Sequence, residues 1–233
     1  MKYKSDLITA ASGSIGGACY QGSRGGLVRF AKPRNTRSSS NRQGSVRNDF
    51  TTLAIHWRQD LSQSQRDAWQ SYAELTPIGG RLGDPLTLSG SQMFRRCNAT
   101  RLAAALGIVD DGPTTPGLVH LTQVNVLAVI TNPFIGWQIP NTDAWALETG
   151  GAMILQTSRF HSVGGTLRKR RLRQLAVILG SPGGPPAFLT STVNAFRQFI
   201  NLAQVGQPFF NRFVAVRADG RISSEQLLSV RLE

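Results

Sequence analysis

HWRQDLSQSQRDAWQSYAELTP, residues 56–77, decides the fold class. Ser62 followed by Gln65 has the form of a capping box, in which each side chain satisfies the other residue's backbone N–H and opens a helix. Ala68, Trp69, Tyr72 and Ala73 then recur at helical spacing, which predicts one inner face running through about Leu75 before Pro77 and two glycines close the element. Upstream, Val46, Phe50, Leu53, Ala54 and Trp57 form a second one-faced helix ending near Asp60. The link of roughly two residues predicts a helical hairpin with Trp57 and Trp69 at its seam. Downstream of the turn-rich GGRLGDPLTLSG, residues 79–90, Ser89 or Ser91 caps a third helix. Met93, Phe94, Cys97, Arg101, Leu102, Ala105 and Leu106 lie along its repeat, and Gly107 is its expected C-terminal cap.

DDGPTTPG, residues 110–117, reads as a linker, and beyond it the hydrophobic period shifts from helical to two. Leu121–Thr131, Gly151–Phe160, Leu172–Leu179, Phe209–Arg217 and Leu227–Leu232 are strand candidates, with Ala218–Arg221 as the hairpin turn between the last two. The stretch Thr190–Gln204 fits either a strand or a short helix. About six or seven short strands in this span predict a small antiparallel sandwich of the immunoglobulin or fibronectin type III kind.

The first 45 residues differ from both regions. Gly pairs, Ser, Pro and Arg dominate, and Ala18–Gln21 and Leu27–Ala31 alternate like the strands of a hairpin around GSRGG. Pro33 disfavours helix at Lys32 and leads into a polar extended run. The expected class is α+β: an extended basic arm (1–45), a helical region (46–109), a linker (110–117) and a β-sandwich (118–233).

Charge singles out the same segment. The chain carries 26 Lys plus Arg against 13 Asp plus Glu, a formal net charge of +13. Residues 1–50 hold nine basic and two acidic side chains, whereas residues 51–115 hold six of each and residues 116–233 hold eleven and five. An excess concentrated in one segment points to a surface that meets something acidic, and arginine in place of lysine favours fixed bidentate contacts. The arm's apolar residues sit at strand-like intervals among these arginines, a mixture suited to docking by strand addition. Tyr20, Arg24, Leu27, Arg29, Phe30, Arg34 and Arg37 are its candidate partner-binding residues. The densest basic cluster, LRKRRLR at 167–173, offers Arg168, Lys169, Arg170, Arg171 and Arg173 to an acidic protein face or to phosphate. The same cluster also suits a solvated edge strand or loop whose charges block aggregation.

Catalytic patterns are not legible. His56, His120 and His161 fall in three different predicted elements, and the sequence carries no HExxH motif and no clustered carboxylates. Asp110 and Asp111 read as turn chemistry, and Cys19 and Cys97 lack metal-ligand spacing. GSIGG and GSRGG lack the GK[ST] ending of a phosphate loop. No cofactor, metal or catalytic residue is expected. Hydrophobic residues at 40% and charged residues at 17% suit a folded core. No apolar run approaches the length of a membrane span, and the N-terminus makes a poor signal peptide, so synthesis in a cytoplasm is expected.

The order of these features resembles that of uncharacterised structural proteins encoded in tailed-bacteriophage and prophage genomes. There a basic segment of the form G-x-x-x-R-x-x-x-x-P-x-N-P-x-[ST] precedes a Trp-bearing helix, then L-[ST]-x-x-[QR]-x-x-W-x-x-[YF]-A and a fibronectin-like region. Arg29, Pro33, Asn35, Trp57, Leu61, Ser62, Gln65, Trp69, Tyr72 and Ala73 carry the likeness over about 100 residues, and Thr36 departs from it where the pattern has a second proline. The resemblance implies a non-enzymatic virion component, multicopy or homo-oligomeric, with capsid, connector or tail proteins as partners and no membrane. A head-associated minor or decoration protein stands first, and a head-to-tail connector or tail protein second. A basic nucleic-acid-binding protein is the alternative of a different class.

Overall fold

The computed structural model describes residues 2–3, 13–23, 26–32, 40–79, 85–129, 134–164, 172–190 and 206–231. The chain divides into two compact units, Met1–Val46 and Arg47–Glu233.

In the first unit β1 (Lys2–Tyr3), β2 (Gly13–Ile15), β3 (Ala18–Ser23) and β4 (Gly26–Ala31) form an antiparallel sheet of order β1-β4-β3-β2. The expected hairpin is present as β3 and β4, in a register that sets Cys19 opposite Phe30 and Tyr20 opposite Arg29. Strands are added on both sides of it, so the segment read as an extended arm is a small sheet. Gly13 and Gly16 hold positive φ (110° and 58°), so β2 turns into β3 where a Cβ would strain the backbone.

The helices are α1 (Asn41–Gln59), α2 (Gln63–Leu75) and α3 (Gly90–Ala103). All three open on the same Ser-x-x-Gln capping box. Ser62 with Gln65 and Ser89 with Gln92 bond reciprocally, and Ser40 pairs likewise with Gln43, at 3.1 Å and 3.3 Å. Helix α1 therefore starts several residues before the onset read from Val46. Its apolar stripe is buried only at Leu53 and half-buried at Trp57, while Val46 and Phe50 remain 43% and 48% exposed.

The expected α1/α2 hairpin is replaced by a different pairing: α2 packs along α3. Phe94 of α3 is the hub, with Trp57 at 5.4 Å, Trp69 edge-on at 5.5 Å and His56 parallel at 6.2 Å. Each such aromatic pair adds about 0.5–1.5 kcal/mol beyond the area it buries. Arg66 of α2 donates to the Trp57 and Arg58 carbonyls and closes the C-terminal end of α1.

Helix α3 ends on a Schellman motif: Leu106 N–H bonds the Arg101 carbonyl (2.9 Å) and Ala105 N–H bonds the Leu102 carbonyl (3.0 Å). The left-handed residue is Ala105 (φ 58°) and not the expected Gly107. A Cβ at that φ is disfavoured, so Ala105→Gly should stabilise the protein by about 1 kcal/mol. A urea-melt midpoint at or below wild type would contradict this.

The strands beyond the helices are β5 (Ile78–Gly79), paired with β6 (Pro85–Leu86), then β7 (Asn125–Val129), β8 (Phe134–Gln138), β9 (Ala152–Thr157), β10 (Arg173–Leu179), β11 (Phe188–Thr190), β12 (Pro208–Val216) and β13 (Gln226–Arg231). Two antiparallel sheets of order β10-β9-β12-β13 and β11-β8-β7 hold the last seven. The sequence reading missed β8 and β11 and began β7 too early, while residues 191–205 lie outside the described residues.

Met153, Leu155, Phe209, Phe213 and Ala215 of the four-stranded sheet share one core with Ile135, Trp137 and Val124 on the side of the three-stranded sheet. Ala152, Ile154 and Val216 share a second core with Leu53, Trp69, Phe94 and Cys97 of the helices. The four-stranded sheet is thus a middle layer, covered on both faces. This explains why Ala152–Leu155 and most of β12 are buried without alternation.

The segment read as a linker does not separate two cores. Trp69 Nε1 donates to the Asp110 carbonyl (2.7 Å), Tyr72 Oη donates to the Gly117 carbonyl (3.2 Å), and Gly117 N–H donates to Thr76 Oγ1 (3.0 Å). A Cβ on Gly112 would stand 2.6 Å from the Ala68 carbonyl carbon, so only glycine lets this backbone lie against α2.

Candidate functional site

The first unit is the part of the chain least like a finished fold. Among those of its residues whose exposure is described none is buried, although its strands pair with one another. A sheet gains its stability from an apolar face covered by another layer, and among the described residues of the unit no such layer is present. Tyr20 and Arg29 oppose each other across β3 and β4, and the guanidinium carbon lies 5.8 Å from the ring centroid. This is a cation–π contact between the charged group and the ring face. Alternation along β4 sends Phe30, 41% exposed, to the opposite face with Val28.

Of the expected arm residues the structure therefore brings together Tyr20 and Arg29, and places Phe30 on the other face. Leu27 sits in register opposite Gly22 and Tyr3. Arg24, Arg34 and Arg37 lie outside the described residues, as do Arg168, Lys169, Arg170 and Arg171 of the second basic cluster. Arg173 opens β10 opposite Thr157 and is exposed.

The titratable groups of the larger unit are engaged in joining elements. His56 contacts Asp60 through Nδ1 and Asp110 through Nε2, both at 2.7 Å, tying the end of α1 to the segment that follows α3. Asp111 accepts from Gln65 Nε2 at 2.9 Å. His120 lies 3.4 Å from Thr122 Oγ1, and His161 meets Phe210 edge-on. The three histidines stay apart, and among the described residues no group of three or more His, Cys, Asp or Glu is placed to hold a metal ion.

Burial pushes the Cys97 thiol up to about 12, with the nearby Arg96 charge acting against it, and the sulfur packs in the core shared by the helices and the sheet. Burial likewise raises the Tyr72 hydroxyl to about 12. An open, mostly apolar depression of about 290 Å³ beside α2 is lined by Ala68, Tyr72, Leu75, Pro113 and Pro116, and brings no acid–base pair together.

One polar group matters more than the sequence suggested. Arg101, 6% exposed at the end of α3, donates to the carbonyls of Gly107 (2.8 Å), Arg217 (2.6 Å), Gly150 (3.3 Å) and Ala218 (3.3 Å). Beside it Arg217 forms a forked pair with Glu148, whose Oε1 also accepts Ala218 N–H at 2.8 Å, and Arg221 pairs with Asp219 at 2.8 Å. Burial lowers the Arg101 pKa, opposed by the Asp219 and Glu148 charges. The network joins α3 to the β12–β13 turn and to the loop before β9. Its donors are matched to carbonyl and carboxylate acceptors.

No protein-family model, curated protein or solved structure matches the chain. Among the described residues no helix is long and apolar enough to cross a membrane.

Proposed function

We propose that the protein is a non-enzymatic structural component of a tailed-phage virion that docks on neighbouring subunits through its N-terminal sheet. The observation that carries this reading is a paired sheet without a described core: no residue of Met1–Val46 whose exposure is described is buried. Paired strands with exposed apolar and aromatic residues gain their missing layer from a partner. Ordering such a segment costs conformational entropy, which repeated contacts in a multicopy assembly offset.

The larger unit supports the reading in a second way. Its seven strands split three on four, and numbered in chain order they run 1-2-5 and 4-3-6-7. A constant-type immunoglobulin sandwich differs in one strand alone, the fourth, which there edges the other sheet. A fibronectin-like sandwich backed by helices is the fold we assign to this unit. The resemblance of its motif order to that of phage structural proteins favours a station on the head, as a minor or decoration protein.

The test is a truncation that keeps the Ser40 cap of α1. A chain lacking residues 1–39 should retain the wild-type far-ultraviolet signal of the larger unit and fail to enter particles. Normal incorporation of that chain would remove the docking role from the N-terminal sheet. Binding to particles that weakened steeply with salt, as phosphate contacts do, would favour the nucleic-acid alternative.

A further inference from the structure

We infer that the depression between α2 and residues 112–116 is a docking groove for a basic protein segment, seating one large apolar side chain inside an acidic border. The inference stands on the larger unit alone and goes beyond the docking reading of the N-terminal sheet. The former linker runs alongside α2: Gly112 lies against Ala68, and Gly117 N–H reaches Thr76 Oγ1 at 3.0 Å. Between these points Tyr72 and Pro113 are buried beneath the groove, while Pro116 and Leu75 are exposed at its sides, Leu75 by 64%. At about 290 Å³ the depression falls at the bottom of the range for pockets that enclose a whole small ligand, and it is open to solvent. That size and shape suit a single anchoring side chain of a protein partner.

Charge selects the partner. Asp67 and Glu74 stand at i and i+7 on α2, so they share one stripe, next to Ser71 of the groove lining. Asp111 precedes Gly112 and borders the end of the groove nearest the start of α2, where it bonds Gln65. All three carboxylates are exposed, and each accepts from a neutral glutamine amide, at 2.8, 2.8 and 2.9 Å. Among the described residues none of them is in an ion pair, so each keeps its charge and further acceptor capacity. Arg66, the one basic residue of α2, turns to the other side and is engaged by the Trp57 and Arg58 carbonyls. A chain of net charge +13 therefore surrounds its apolar depression with negative charge, which repels a phosphate backbone and attracts lysine and arginine. Its complement is a segment in which basic residues flank an apolar one.

The probe is a short fluorescent peptide with one leucine flanked by arginines, titrated with the full chain at about 150 mM salt. The chain's own net charge of +13 opposes non-specific adsorption of a basic peptide. Anisotropy should report saturable binding, weakened about tenfold when serine replaces the leucine of the peptide. Leu75→Ser, and Asp67→Lys combined with Glu74→Lys, should each weaken it by about the same factor. These side chains are exposed, so the variants should keep the wild-type far-ultraviolet signal. Val163→Ser removes an apolar side chain that is 72% exposed elsewhere and should leave the affinity unchanged. Absence of binding by the wild type, or equal affinity of wild type and Leu75→Ser, would overturn the inference. So would a concentration-dependent dimer that Leu75→Ser dissociates, because a second copy would then fill the groove. These results leave the N-terminal sheet aside, and its truncation tests that role separately.

Discussion

Trp69→Ala should cost about 3–5 kcal/mol of stability, the range for emptying a large aromatic from a core. Trp69 is fully buried, edge-on to Phe94 at 5.5 Å and to Tyr72 at 6.0 Å. Its far edge reaches Gly220 in the β12–β13 turn, where an added Cβ would meet the ring at 3.4 Å. One side chain therefore touches two helices and the sheet, and its Nε1 also holds the Asp110 carbonyl at 2.7 Å. Truncation leaves a cavity and also takes the donor from a part-buried carbonyl. Trp69→Phe separates the two, since it keeps most of the volume and drops the hydrogen bond; about 1.5–2.5 kcal/mol is expected. Trp57, half-buried on the same hub, should cost less than Trp69 on truncation to alanine. Urea melts followed by far-ultraviolet circular dichroism check all three, and a Trp57 loss equal to that of Trp69 would contradict the burial.

Arg101→Met should be comparably severe, at about 3–5 kcal/mol, for a different reason. Its guanidinium serves four carbonyls drawn from three segments, and methionine fills the volume while removing the donor from all four, of which the Arg217 carbonyl keeps the Gly220 N–H at 3.1 Å. Arg101→Lys should recover less than half of the loss, because an ammonium is a point charge that cannot span the fork. A thermal midpoint for Arg101→Met lying well below wild type, by about 10 °C, is the expected reading for a unit of this size. A shift within about 2 °C would show that the network is dispensable and that packing alone joins α3 to the sheet.

What the sequence made legible follows from how local each signal is. The capping box at Ser62 acts over three residues and is found where expected, and of the two caps open for α3 Ser89 is the one used, with Gln92 completing a box. Ser40 carries the same signal and was overlooked because its box lies inside a polar run, ahead of the first periodic apolar residue, Val46. Gly107 was favoured as the cap by residue type, whereas the helix ends two residues sooner and places Ala105 in the left-handed region against its preference. Pro133 and Gly136 masked β8, since both read as turn residues while Gly136 is paired within the sheet.

The helical hairpin failed for a tertiary reason. The stripe on α1 was read correctly as apolar, but periodicity does not say which neighbour receives it, and Phe94 of α3 does. Arg101 was visible only as one member of a helical repeat. Its acceptors at Arg217 and Ala218 lie 116 and 117 residues away, and no local pattern connects them. In the candidate site, the hairpin of β3 and β4 was legible from the alternation around GSRGG, whereas its register, which sets Tyr20 opposite Arg29 through a turn tighter than that five-residue spacing, was not. The added strands β1 and β2 did not, because two- and three-residue strands carry no periodic signal.

Cross-linking mass spectrometry of purified particles that carry the protein tests the central claim most directly. The account predicts cross-links from Lys2, Lys4 or Lys32 to capsid, connector or tail proteins, or to a second copy of this chain. Absence of the protein from intact particles despite its expression during infection, or lysine cross-links confined to nucleic-acid-associated proteins, would contradict it.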